Sequence, residues 1–421
     1  MRKSLIQQHE TCASLRNWAG RGFWAVIDQA LFAGANFLVS ILLARWLEPA
    51  AYGAFSLAYA IFLLLGTVHT GLWTEPMIVY GSGRFREDFA AYQQVLLRYH
   101  WRFGGAACLF FLVLHLGFWA CGAREIALSF LGLSLAAPTV LYLWLVRRGA
   151  YVLLKPRLAA LGGGLYLLLY LTQTFFFLRT NTLNTFTALL AMAVASLVSA
   201  ESIRWRMNTE TEQVMDAEKV YNLHWHYGRW ALLAGIFSWV PGNIFYLILP
   251  AFHGFEAAAR FKALMNLLMP ILHVNGALGQ LLVPGMVRAL AQGKLRQFIL
   301  ASLAAFTAFA ISYWFLLVTF GSHLLKWIYR DKYLETTDWI CWLGLLPVLV
   351  ATISTISSAL RVIEKQKIVA QSYGLISVLT IILGIPLVLR YSLCGSALTL
   401  LLVNTLAVFY FYRKAVILNI I

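Results

Sequence analysis

The sequence predicts an all-α polytopic membrane protein, with about twelve transmembrane helices in two six-helix lobes around a central cavity. Three observations predict it. Of 421 residues, 61% are hydrophobic and only 12% are charged, half the roughly 25% charge of an ordinary soluble domain and too little to solvate the surface of a chain this long. Apolar stretches of about 20 residues recur from end to end, the length that crosses a bilayer core as a helix. The basic residues behind a formal net charge of +16 fall mainly in alternate connecting segments. That is the pattern of a topology signal and not of a nucleic-acid surface, so no nucleic-acid partner is expected.

Taken in order, the helices are expected near 23–45, 54–80, 103–121, 126–146, 158–178, 183–203, 229–250, 256–287, 298–320, 337–360, 368–389 and 393–412. With the N-terminal segment 1–22 inside, most of the 33 Lys and Arg residues lie in inner segments, among them Arg84, Arg86, Arg147, Arg148, Arg204, Arg206, Arg361 and Lys365. Basic residues in short loops resist translocation, so both termini are expected to be cytoplasmic. Segment 1–22 lacks an apolar core followed by a small-residue cleavage site, so no removable signal peptide is expected. The five cysteines, Cys12, Cys108, Cys121, Cys341 and Cys394, show neither metal nor disulfide spacing and read as small packing residues. The longest polar stretch, 204–228, contains Glu210, Glu212, Asp216 and Glu218 and reads as a cytoplasmic linker between an N-terminal lobe, 23–203, and a C-terminal lobe, 229–421. Six spans per half give both halves the same orientation, a parallel repeat of the kind found in transporters.

The repeat has local marks. The second helix of each half is long and follows a short outer turn, Glu48-Pro49-Ala50-Ala51-Tyr52-Gly53 in one and His253-Gly254-Phe255-Glu256 in the other. The first helix of each half carries a mid-span interruption, Gly34-Ala35-Asn36 and Pro241-Gly242-Asn243. Pro removes a helical hydrogen bond, Gly loosens the backbone and Asn can bond to the freed groups. Interruptions at matching positions point to a transporter's central site, making Asn36 and Asn243 candidate cavity residues; ordinary helix kinking is the alternative. On the eighth span Lys262, Asn266, His273 and Gln280 lie within about 40° of one another at 100° per residue, with Gly276 at the edge. A polar stripe facing lipid is costly, so this face should line either a water-filled cavity or a polar helix seam. Sliding one half on the other sets Ser56, Thr67 and Thr74 against Lys262, His273 and Gln280. Arg260 points about 160° from Lys262 and reads as a second cavity cation or as a residue snorkelling to the outer interface. Asp28 and Glu75 lie in apolar context. They are candidate ion-coupling carboxylates, with pairing to Arg21 or Arg84 as the alternative. No P-loop, metal spacing or nucleophile constellation occurs. Neither a catalytic residue nor a cofactor is therefore expected, and the chain reads as a non-enzyme.

The run from Asn36 through Ala44-Arg45-Trp46-Leu47-Glu48-Pro49 to Tyr52-Gly53 resembles the first hairpin of polysaccharide flippases of the O-antigen transporter type, in the multidrug/oligosaccharidyl-lipid/polysaccharide exporter superfamily. Arg361-Val-Ile-Glu-Lys365-Gln-Lys367 and Tyr391-Ser-Leu-Cys-Gly395 resemble that family's last helices. The resemblance implies a flippase that moves a polyprenyl-pyrophosphate-linked oligosaccharide from the inner to the outer leaflet of the bacterial inner membrane. Two lobes would rock around a cationic cavity, driven by a proton, a sodium ion or the membrane potential, with membrane lipid and polysaccharide-assembly proteins as partners. Arg45 matches the family's Ala-Arg and reads as an interface residue. A multidrug antiporter of the same superfamily is one rival. A glycan ligase or polymerase is the other, and its candidate outer loop is 321–338, with His323, Lys326, Arg330, Asp331 and Lys332.

Overall fold

The computed structural model describes residues 2–208, 211, 213–363, 365–418 and 420; the side chains of 2–19, 21, 22, 276–281, 284 and 366 lie outside the described set. Among the described residues the secondary structure is helical throughout. The order is α1 (Arg2–Trp46), α2 (Pro49–His69), a π-helix (Thr70–Thr74), α3 (Glu75–Ser82), α4 (Phe89–Ala120), α5 (Arg124–Val152), α6 (Pro156–Arg179), α7 (Thr185–Met207), α8 (Ala217–Asn243) and α9 (Phe245–His253). There follow α10 (Phe255–Ala291), α11 (Leu295–Tyr329), a 3₁₀ turn (Leu334–Thr336), α12 (Thr337–Leu343), α13 (Leu346–Val362), α14 (Gln366–Tyr391) and α15 (Leu393–Ile417). Among the described residues ten segments are long and apolar enough to cross a membrane, and α8–α9, bent by 45°, makes an eleventh if the pair is one span. The eighth expected span coincides with α10. The chain is a multi-pass membrane protein.

Two compact units emerge. One comprises residues 1–39 and 65–232, the other 40–64 and 233–421, so α1, α2 and α8 each pass from one unit into the other along the chain. Within the first unit, α5 and α7 meet through small residues, with Gly132, Ala136 and Ala137 on α5 and Ala188, Ala191 and Ala195 on α7 all buried. Such residues let membrane helices approach closely where no hydrophobic force drives them together. A second core gathers Met77, Tyr92, Val95, Leu96, Leu145 and Val220. The second unit's core joins Met286, Ile299, Ile356, Leu360, Val403 and Phe411. Large apolar side chains remain outside on many helices, among them Leu109, Leu116, Phe315 and Phe409, as expected where the solvent is lipid hydrocarbon.

Three sequence expectations meet the structure differently. The interruption at Gly34-Ala35-Asn36 does not break α1, which is continuous from Arg2 to Trp46, because no proline is present and Asn36 donates from Nδ2 to the Phe32 carbonyl at 3.0 Å, reinforcing the ladder. Its counterpart does break: α8 ends at Asn243, past Pro241. The missing proline N–H frees the Phe237 carbonyl, and the Ser377 hydroxyl donates to it. Asn243 Nδ2 in turn donates to Trp239 O at 3.1 Å, the same four-residue return that Asn36 makes. The outer loop expected over 321–338 is mostly helix, since α11 runs to Tyr329.

The π-helix was not anticipated. Pro76 removes the N–H that would bond to Leu72 O, and the Glu75 N–H reaches back five residues to Thr70 O. His224 of α8 supplies the replacement, its Nδ1 lying 2.9 Å from Leu72 O. Gly71 and Gly228 make this crossing close enough: a Cβ on Gly228 would lie 2.7 Å from Gly71 O.

Candidate functional site

The second unit builds a site around Lys262, about two turns inside the start of α10. On α2, Tyr52, Phe55, Tyr59 and Phe62 recur at steps of three and four, one helix face, and their rings follow one another at 6.2, 5.7 and 5.6 Å. The half-buried Lys262 brings its Nζ over Tyr59 at 6.0 Å and over Tyr246 of α9 at 5.1 Å. Tyrosine faces attract an ammonium through the ring quadrupole. No carboxylate among the described residues lies within 4.0 Å of Lys262. One turn on, Asn266 is buried in a hydroxyl cluster. Its Nδ2 donates to Tyr52 Oη at 3.0 Å and Tyr329 Oη at 3.3 Å, and its Oδ1 accepts from Ser40 Oγ at 3.3 Å; Ser40 and Tyr52 are 2.9 Å apart. The result is a lone cation framed by tyrosines beside a polar, neutral cluster. Such an arrangement can bind an anion.

The other stripe residues separate from this pair. His273 is exposed two turns further along α10, and Gln280 and Gly276 fall outside the described side chains. Arg260 is already neutralised, with Nε 2.7 Å from Glu335 and a guanidinium nitrogen 3.6 Å from Glu256. Of the slide partners, Ser56 is buried and turns back to Tyr52 O at 2.8 Å. Arg45 reaches the Trp327 carbonyl at 3.4 Å, and Lys332 reaches Leu47 O at 2.6 Å. These contacts tie the C-terminal ends of α1 and α11, with the residues just past them, together within the unit.

In the first unit Asp28 is fully buried and pairs with Arg147 through two bonds, Nε to Oδ1 at 3.2 Å and Nη2 to Oδ2 at 2.8 Å. Tyr151 donates to Oδ2 at 2.6 Å, and the Arg147 guanidinium lies 4.0 Å from the Phe32 ring centroid. Gly163 permits the approach of α6, since a Cβ there would sit 3.1 Å from Asp28 Oδ1. Asp28 therefore does find an arginine, but on α5; Arg21 is among the side chains not described. Glu75 is exposed, with Arg148 and Tyr227 in its electrostatic neighbourhood. Asn36 accepts from Tyr166 Oη at 3.0 Å.

Set against solved structures, the chain is similar over nearly its whole length to membrane transporters. One is a multidrug resistance MATE family transporter of the MOP superfamily, solved in an inward-facing conformation, at TM-score 0.76 and 13% identity over 94% of this chain and 99% of that one. Another is the lipid II flippase MurJ in an inward closed conformation, at TM-score 0.71 and 12% identity over 94% of this chain and 87% of that one. A third is a MOP superfamily transporter from Pyrococcus furiosus, whose description gives its binding pocket reverse polarity, at TM-score 0.67 and 12% identity over 94% and 95%. This chain has the MOP transporter fold. No family model and no curated protein sequence matches it.

Within this MOP fold, sequence reasoning found Lys262 and Asn266 but not the tyrosines that frame them. The signal was present as the period of Tyr52, Phe55, Tyr59 and Phe62, although an aromatic stripe at that spacing also reads as core. Arg147 was counted as a topology-setting residue. Its i,i+4 spacing to Tyr151 was the hint that both face one buried acceptor.

Proposed function

We propose that this chain is a flippase, moving a polyprenyl-pyrophosphate-linked oligosaccharide from the inner to the outer leaflet by alternating access of lobes 23–203 and 229–421. Both termini and the linker 204–228 would face the cytoplasm of a bacterial inner membrane. The observation that carries the reading is Lys262, a half-buried cation on α10, where the eighth span is expected, with tyrosine faces for neighbours and no carboxylate within 4.0 Å among the described residues. An unneutralised charge is expensive in a bilayer and is kept where it meets a counter-charge in use. A pyrophosphate supplies one. The Asn266–Tyr52–Tyr329–Ser40 cluster, buried and bonded within itself, fixes α2 against α10 beside that cation. The similarity to a lipid II flippase supports the same substrate class.

The similarity to a multidrug resistance transporter favours a second reading, antiport of organic cations. That reading wants a free buried carboxylate, whereas Asp28 is engaged by Arg147 and Tyr151 and Glu75 is exposed. The anionic substrate is therefore preferred.

Moving an anion outward from a negative interior is favoured by about 2.3 kcal/mol per charge per 100 mV. In proteoliposomes holding a fluorescent lipid-pyrophosphate oligosaccharide, an impermeant quencher reads the leaflet distribution. Protein-dependent movement is expected, accelerated by an inside-negative potassium diffusion potential. No movement by protein that retains its helical fold contradicts the proposal, and movement indifferent to the potential removes the electrical drive.

A further inference from the structure

The π-helix sits at a junction where buried, ionisable groups converge, and the transport reading makes no use of them. His69, the last residue of α2, and His100 of α4 are both fully buried, and His69 Nε2 lies 3.0 Å from His100 Nδ1. The outer nitrogen of His100, Nε2, is also buried without a hydrogen-bond partner. With the N–H of His100 on that outer nitrogen, Nδ1 of the ring is the acceptor and Nε2–H of His69 the donor. The remaining nitrogen, His69 Nδ1, is then a bare lone pair. It is buried and has no hydrogen-bond partner. A buried acceptor left unpaired is destabilising, and it is also where a proton would add.

Both rings are fully buried, which opposes a charge on them; the aromatic faces around His69 offset part of that cost. The His69 ring stacks on Trp73 at 5.4 Å and 28° and contacts Phe103 at 5.6 Å. Trp is the best aromatic partner for a cation. After proton uptake at Nδ1, His69 still donates from Nε2 to His100, so the pair shares one positive charge across an intact hydrogen bond. The titratable and charged groups around it are few. From α5, Tyr142 stacks on His100 at 5.6 Å and gives its hydroxyl hydrogen to Glu201. From α4, Arg102 turns to the Tyr99 ring. From α8, His224 is held between Tyr92 Oη at 2.6 Å and Leu72 O. A cavity of about 180 Å³ borders Trp73, lined by Leu72, Leu96, Tyr99, Val220 and His224 among others.

We propose that His69 and His100 form a single-proton binding site at the π-helical joint of the second span, with His69 Nδ1 as the accepting atom. Charging His69 tightens its hold on Trp73, a member of the π-helix, so occupancy is read out in a segment whose ladder is already shifted. π-bulges recur at functional positions because they are such adjustable joints. Proton binding does not depend on the flippase reading. Its use as the ion that drives transport does rest on that reading.

The test is a pH titration of tryptophan emission on the full-length protein between about pH 8 and pH 4, a window carried below the ordinary imidazole range because both rings are buried. An imidazolium quenches a stacked indole more than a neutral ring does. Native protein is expected to show a one-proton quenching step that disappears in both Trp73→Phe and His69→Gln. The glutamine keeps a donor toward His100 but cannot take up the proton. A step that persists in either variant, or no step in the native chain, overturns the site. Should His69→Gln fail to fold, histidine-selective NMR of the native protein decides: two coupled ring signals moving together support the site, and unmoved signals overturn it. Coupling is read separately in the proteoliposomes. Flipping that an imposed pH gradient accelerates in native protein but not in His69→Gln supports it, and equal acceleration in both overturns it. Absence of flipping would instead refute the function and leave the binding result standing.

Discussion

Asp28 and Lys262 show two ways for a charge to live in a membrane helix, and they predict opposite responses to mutation. Asp28 is neutralised by two bonds from Arg147 and one from Tyr151. Removing one member of a buried ion pair strands the other, a loss of about 3–5 kcal/mol, whereas replacing both with apolar residues of similar volume can be neutral. Asp28→Asn should therefore lower the thermal midpoint sharply. The double change Asp28→Leu with Arg147→Met should restore most of the loss, as followed by heating in detergent. A double variant as unstable as the single one would show that the network is held by more than charge pairing. Lys262 has no such partner among the described residues, so its replacement is expected to alter function while leaving the midpoint nearly unchanged.

At the scale of elements, glycine positions separate structural need from tolerance. Gly53 opens α2 where its backbone meets the start of α10: a Cβ would lie 1.8 Å from Phe255 O, a backbone atom that cannot swing aside. Gly34, inside α1, has nothing within 4 Å of a Cβ. Gly53→Ala should thus destabilise by several kcal/mol or abolish folding. Gly34→Ala should be neutral or stabilising by up to about 1 kcal/mol, the helix-propensity difference. Equal midpoints for the two variants would refute the close approach. The contrast also marks what the sequence could reveal. Tyr52-Gly53 was legible as part of a hairpin motif, and Gly395 likewise, since a Cβ there would lie 2.0 Å from Leu387 O. Gly34-Ala35-Asn36 looked like a break only because composition does not reveal that Asn36 closes its own turn. Pro76 was visible, but its consequence, a π-helix capped by His224, depends on a residue about 150 positions away. Long-range partners of this kind leave no local signal.

For the whole molecule, helix positions and order were readable because bilayer thickness imposes one length on every span: the expected twelve segments all fall on helices, although ten, or eleven with the bent pair, qualify as spans among the described residues. The site was half readable. Helical period placed Lys262 and Asn266 on one face of α10. Which helices bring tyrosines to that face is a matter of tertiary packing, and so is the difference between a free Lys262 and an Arg260 bound by Glu335. The division into compact units, with residues 40–64 grouped with 233–421, has no mark in the sequence, since the boundaries fall inside continuous helices. The central claim is that Lys262, which has no carboxylate within 4.0 Å among the described residues, serves an anionic lipid-linked glycan. The most direct measurement compares native protein with Lys262→Met and Lys262→Arg in the leaflet assay, at matched reconstitution and matched thermal midpoint. The account predicts that Lys262→Met lowers the flipping rate at least tenfold and that Lys262→Arg retains part of it. Native-level flipping by Lys262→Met would contradict it.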